Sequence, residues 1–146
     1  IAGAGRELGR LALRRRDPRA ATALLREHLD RQPGDAMAWV ELAKALEVAK
    51  DAEGAKAAYR RALGAAPELD VAHEGFGLLA GRDGDRGAGF YHLGLAARYR
   101  GEYEKALDQL RRALPLIEAD ETKKAVAKQN ISDIEGYLEV ESEEGE

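Results

Sequence analysis

Residues 36–67 read AMAWVELAKALEVAKDAEGAKAAYRRALGAAP. Trp39, Leu42, Ala43 and Leu46 stand at i, i+3, i+4 and i+7, the spacing that puts side chains on one helix face. A polar break at Ala49-Lys50-Asp51 follows, and Ala55, Tyr59, Ala62 and Leu63 resume the pattern on a second helix. Asp51 is placed to cap that second helix, its carboxylate accepting from backbone N–H groups that have no intrahelical partner. Two amphipathic helices joined by so short a turn lie antiparallel, and neither buries its apolar face alone.

The unit recurs with a period of about 34 residues. One period earlier, Trp39, Leu42 and Ala43 become Gly5, Leu8 and Gly9, and Ala55, Tyr59 and Pro67 become Ala21, Leu25 and Pro33. Trp39, Leu42-Ala43, Leu46, Ala55, Tyr59, Ala62 and Pro67 match the Trp, Leu-Gly, Tyr, Ala, Phe, Ala and Pro slots of a known motif. The chain resembles a tetratricopeptide repeat (TPR) array up to about Leu116. That resemblance implies an all-α, right-handed α-α superhelix of about three to four helical hairpins, closed by a C-terminal capping helix. It also implies a scaffold for protein–protein interaction, a role that such arrays fill with many different partners.

Composition agrees with helix packing. The 146 residues are rich in Ala, Leu, Arg and Glu, with few aromatic and β-branched residues. Cysteine is absent, which excludes a disulfide framework, a thiolate metal site and a cysteine nucleophile, and leaves the compartment undetermined. No apolar run approaches the length of a membrane-spanning helix, and no signal peptide is evident. The chain opens at Ile1 inside a helical pattern, as a fragment of a longer protein would. The net charge of −4 is unevenly spread. Arginines crowd residues 1–34, whereas Glu139, Glu141, Glu143, Glu144 and Glu146 have no basic residue among them.

The expected organisation is a repeat domain over 1–138 and an acidic disordered tail over 139–146. Repeats cover about 2–35 and 36–69, an irregular stretch 70–117 follows, and a capping helix occupies 121–138. Asp17-Pro18, Asp35, Asp70 and Asp120 each mark a helix start. Between 82 and 101 two registers compete. Phe90, Leu93-Gly94, Ala97, Ala106, Leu110 and Ala113 read as a repeat that restarts half a period early, which strands the helix 70–81 and makes helix exchange between chains conceivable. The steady register instead makes 86–99 a second helix and starts a new repeat at Glu102. Pro115 predicts a kink or an early stop in the helix 102–117.

No residue pattern points to catalysis, a metal or a cofactor. The three histidines lack metal spacing, and His73-Glu74 is not continued by a second histidine. Gly3, Gly5 and Gly9 miss the dinucleotide fingerprint; Gly84, Gly87 and Gly89 lack the ending of a phosphate loop. Asn130-Ile131-Ser132 is a formal glycosylation sequon inside a helical pattern. The overall acidity and the lack of a basic face with interleaved aromatics count against nucleic acid, Arg14-Arg15-Arg16 notwithstanding.

The informative feature is a surface. In TPR arrays, set positions of each first helix line the concave face. Carried across, they are Gly3, Arg6, Arg10, Leu13 and Arg14, then Met37, Val40, Lys44, Glu47 and Val48, then Val71, Glu74, Leu78 and Arg82. With the early restart, Tyr91, Leu95, Arg98 and Tyr99 join them. The expected peptide-binding residues are therefore Arg6, Arg10, Arg14, Met37, Val40, Lys44, Val48, Glu74, Leu78, Arg82, Tyr91 and Arg98. Basic rungs with apolar patches suit an acidic-and-apolar peptide. The Lys and Asn pattern that grips chaperone tails is not met. Two variants stand beside this expectation: the glutamate tail occupying the groove of its own or a neighbouring chain, and a regulatory or assembly module of a larger enzyme, as TPR segments are in some bacterial metallopeptidases.

Overall fold

The computed structural model describes residues 4–145. Gly3, the Ala2 start of the first repeat and Glu146 lie outside the described residues. Among those described there are eight α-helices and no strand: α1 (Ala4–Arg14), α2 (Pro18–Arg31), α3 (Ala36–Val48), α4 (Ala52–Ala65), α5 (Asp70–Arg82), α6 (Arg86–Tyr99), α7 (Tyr103–Ala113) and α8 (Glu121–Glu144). One compact unit ends at Gly75 and a second begins at Phe76.

Aspartates start the helices. The carboxylates of Asp17, Asp35, Asp51, Asp85 and Asp120 accept from the N–H groups of Ala20, Ala38, Gly54, Ala88 and Lys123 at 2.9–3.1 Å. Each cap of this kind is worth about 1 kcal/mol. Asp70 differs by one residue from its expected place, being the first residue of α5 itself.

Four of the connections are one structure repeated. Arg16, Lys50, Gly84 and Gly101 occupy the left-handed region, with φ of 56°, 63°, 92° and 77°. The residue after each donates back to a helical carbonyl: Asp17 to Ala12, Asp51 to Leu46, Asp85 to Ala80 and Glu102 to Ala97, at 2.9–3.0 Å. This is the backbone pattern that closes a helix on a left-handed residue. The first three turns are 34 residues apart; the fourth follows after only 17.

That half-step accounts for the two competing registers, because α6 serves in both. A Cβ on Gly77 of α5 would stand 3.1 Å from Leu93 of α6, and one on Gly94 of α6 would stand 2.7 Å from Leu110 of α7. The same offset of sixteen residues joins Gly9 of α1 to Leu25 of α2, at 2.5 Å. Each pair lets one backbone seat the next helix's large side chain. α5 is thus not stranded. Phe76 also meets His92 of α6 with ring centroids 4.5 Å apart, and the motive for exchanging a helix between chains disappears.

Beyond α7 the chain departs from the expected bounds. α7 stops at Ala113, and Leu114–Leu116 form a 3₁₀ turn around Pro115, whose ring forbids the helix to continue. α8 runs on to Glu144, so a helix stands where a disordered tail was expected from residue 139. Glutamate is a good helix former, and Ser142 Oγ donates to the Glu139 carbonyl within that segment.

In the first unit the core is a seam of alanines (Ala21, Ala38, Ala43, Ala55, Ala62) around Leu25, Leu29 and Tyr59. In the second, Tyr91, Leu95, Leu107, Leu110, Ile117 and Ile134 form one cluster, to which α8 contributes Ala127 and Ile134.

Candidate binding surfaces

The ridge of arginines on α1 is tied into the fold. Arg6 Nη1 donates to Asp35 Oδ1 at 3.2 Å, and His28 Nε2 donates to Asp35 Oδ2 at 2.8 Å. Burial pushes the Asp35 carboxyl up, but the His28 hydrogen bond, the Ala38 N–H and the Arg6 guanidinium outweigh it and hold it below the usual carboxylate range. His28 fits because Gly5 faces it: a Cβ on Gly5 would lie 2.9 Å from His28 Cβ. Arg10 reaches Glu7 at 3.0 Å, and its Nε lies 3.8 Å from Glu41, a buried carboxylate that also has Lys44 Nζ at 4.0 Å. Two of the three rungs therefore hold α1 to α3. Arg14, Lys44 and Val48 remain exposed, and Met37 is half-buried. Val40 is corrected outright: at 0% exposure it belongs to the core, because its helix face turns into the alanine seam.

Two rings do the same work one period apart. Trp39 Nε1 donates to the Pro33 carbonyl and His73 Nε2 to the Pro67 carbonyl, both at 2.8 Å. Burial holds the His73 imidazole below its ordinary range against the opposing pull of the Pro67 carbonyl and Asp70, so the neutral ring with hydrogen on Nε2 is the form that fits. Arg61 lies over the Trp39 ring at 4.8 Å. Between α2, α3 and α4, Trp39 and Pro33 help line a cleft of about 610 Å³, floored by Leu29, Leu42 and Leu46 and flanked by Arg26 and Arg61. The sequence reading passed over it, although the chain's single Trp marked the place.

In the second unit α8 covers the face of α6 that the early restart assigned to the groove. Tyr91 is only 7% exposed, with Lys123 Nζ 5.9 Å from its ring centre. Its hydroxyl is pushed up to about 12 by burial, with Tyr99 and Asp120 adding to the effect. Arg98 donates to Asn130 and lies 3.6 Å from Asp133, both on α8. Tyr91 and Arg98 are corrected from groove to packing residues, since the capping helix occupies their face. Asn130 is itself buried, its amide donating to the Val126 carbonyl at 2.7 Å, which removes the sequon from the surface.

A second cleft lies between α5 and α6. Gly77, Gly81 and Gly89 bring the two backbones close, and the space beside them, about 320 Å³, is lined by Leu78, Phe90 and Leu93 with Arg82 and Arg86 at the rim. Leu78 is 49% exposed. Arg86 and Arg112 approach the Phe90 ring from 5.8 and 5.9 Å. Leu78 and Arg82 were both expected in a binding face; Arg86, Phe90 and Leu93 were not, because their helix was weighed only as the second of a pair or the first of another. Glu74, half-buried on α5, falls in the other unit. Among the described residues no group of three or more His, Asp or Glu side chains is arranged to hold a metal ion, and no helix is long and apolar enough to cross a membrane.

Residues 6–70 match the family model of the tetratricopeptide repeat. This stretch is tetratricopeptide-repeat sequence. Solved structures with the same hairpin architecture include a MamA protein (13% identity, 92% of this chain and 86% of that one, TM-score 0.53) and MamA 41-end from Desulfovibrio magneticus RS-1 (17% identity, 96% and 98%, TM-score 0.50). The Sgt2 TPR domain from Aspergillus fumigatus also matches, at 16% identity over 99% of this chain and 83% of that one, with a TM-score of 0.48. No curated protein matches the chain in sequence. At these identities the MamA likeness is one of fold. TPR domains are in general non-catalytic modules for protein–protein interaction, and this one has the fold of such a scaffold.

Proposed function

We propose that this TPR protein captures an acidic-and-apolar segment of a protein partner, and that the α5–α6 cleft is where it does so. The observation that carries the reading is the pairing of an open apolar floor (Leu78, Phe90, Leu93) with arginines at the rim (Arg82, Arg86). An exposed leucine in a concave site gains from burial, about 25 cal/mol per Å² removed from water. Guanidinium forks orient carboxylates above it. Arg14, Lys44 and Val48 extend the same chemistry onto the first unit as a separate patch, while Arg6 and Arg10 serve chiefly to hold α1 on α3.

The test uses a fluorescein-labelled Glu/Leu amphipathic peptide, with a Lys/Leu peptide of equal length as control, read by anisotropy. The wild-type chain binds the acidic probe and not the basic one. Leu78→Glu and Arg86→Glu, both on exposed positions, weaken binding about tenfold or more while the helical circular dichroism is kept, a loss equivalent to about 1.4 kcal/mol. Equal affinity for both peptides, or binding indifferent to these substitutions, overturns the reading.

A further inference from the structure

The end of α8 has the chemistry that the cleft would select. Tyr137, Val140, Glu141 and Glu144 share one helix face by their spacing of three and four. Tyr137 and Val140 are 45% and 54% exposed, and both glutamates are exposed beside them. The stripe borders the start of α7, where Tyr137 meets Tyr103 and Glu141 lines a shallow cleft with Lys105, and its outer edge, Val140 and Glu144, is exposed. Leu138, on the neighbouring stripe, packs instead against the cluster of the second unit.

This helix end is fixed away from the cleft of its own chain. α8 runs in the direction of α6, since Lys123 lies over Tyr91 near the start of α6 and Asn130 meets Arg98 near its end. Tyr137 then rests on Tyr103, where α7 begins, with ring centroids 5.6 Å apart. The residues beyond it continue past the far end of α6. Phe90 and Arg86 lie at the opposite end, where Arg112 from the close of α7 reaches the Phe90 ring. The 14 residues of α6 separate the two places by about 20 Å at the rise of an α-helix. A continuous helix pointing away cannot fold back across that distance.

We propose that the cleft takes the end of α8 from a second copy of this chain. Val140 and the exposed edge of Tyr137 lie on the floor of Leu78, Phe90 and Leu93, and Glu144, with Glu141 beside it, meets the arginines at the rim, Arg82 and Arg86. Charge agrees at both ends: the cleft rim is arginine, and from Glu139 to Glu144 the helix carries glutamates and no base. Cleft and helix end are different surfaces at opposite ends of one unit, so the contact is heterologous and each copy presents one of each. Such contacts add copies head to tail unless they close into a ring. The inference rests on the cleft being a peptide site, and names its occupant.

The experiment is analytical ultracentrifugation of the full chain and of two variants. One carries Arg82→Glu and Arg86→Glu and so has a disabled cleft; the other carries Val140→Glu and Glu144→Arg and so has a disabled helix end. The wild type shows a weight-average mass that rises with concentration and falls with salt, as exposed charges are screened. Each variant alone is a monomer at concentrations where the wild type associates, and an equimolar mixture gives a 1:1 dimer, because one working cleft and one working helix end remain. A wild-type chain that stays monomeric to millimolar concentration, or variants that associate as the wild type does, overturns the inference. If the chain is monomeric and yet binds the Glu/Leu peptide, the cleft belongs to a foreign partner and only the self-contact fails; if neither occurs, the peptide site fails too.

Discussion

At the scale of single residues, the sequence positions that depart from the repeat pattern turn out to be compensated nearby. His28 stands where the pattern has a small residue, and Gly5 stands where it has a large one; the histidine occupies the space the glycine leaves and ties Asp35 to α2. His73 replaces the Trp of the preceding repeat and keeps its hydrogen bond to a proline carbonyl. These substitutions have a consequence in pH. The folded His73 imidazole titrates below its ordinary range, so the unfolded chain takes up that proton first as the solution is acidified. Its contribution is complete above about pH 6.5 and is lost as pH falls toward the folded value. Asp35, also lowered, adds a second loss of the same sign in the range below the ordinary carboxylate value. Urea midpoints taken from pH 7.5 to 4.5 should fall for the wild type and fall less for His73→Gln, which keeps a donor for Pro67 without a titrating ring. Parallel slopes for the two chains would show that His73 is not the group responsible.

At the scale of elements, the helices and their caps were legible because each is a local matter: an aspartate, a periodic apolar stripe, a polar break. The register over 82–101 was not legible, because α6 packs against the helix before it and the helix after it in the same way. Gly77–Leu93 makes it the partner of α5, and Gly94–Leu110 makes it the partner of α7; a pattern search that allots each helix one role must leave one pair out. The extension of α8 to Glu144 was missed because acidity was read as disorder, whereas helix propensity and a helix already nucleated upstream favour continuation. The repeated turn gives a direct test. Lys50 and Gly101 hold the same left-handed place, which costs a residue with a side chain about 1–2 kcal/mol. Gly101→Lys should lower stability by about 1 kcal/mol in chemical denaturation, and Lys50→Gly should lower it not at all, relief of the φ strain offsetting the entropy glycine adds to the unfolded chain. A loss of equal size in both would mean the turns are not equivalent.

At the scale of the whole molecule, the fold follows from residues whose spacing repeats, and the binding surface does not. Of the groove positions, those that face a neighbouring helix are spent: Val40 in the core, Arg6 and Arg10 on α3, Tyr91 and Arg98 beneath α8. A sequence pattern says which side a residue faces but not which later element covers that side, and α8 lies far along the chain from the residues it hides. What stays open is smaller, and in the second unit it is an apolar cleft made by glycines and rimmed by arginines. The most direct measurement is titration of the ¹⁵N-labelled full chain with the Glu/Leu peptide, followed by amide chemical shifts. Shifts centred on Leu78, Arg82, Arg86, Phe90 and Leu93 are the expected result; shifts centred on Trp39 and Arg61, or on Arg14, Lys44 and Val48, would contradict the α5–α6 cleft as the site of capture.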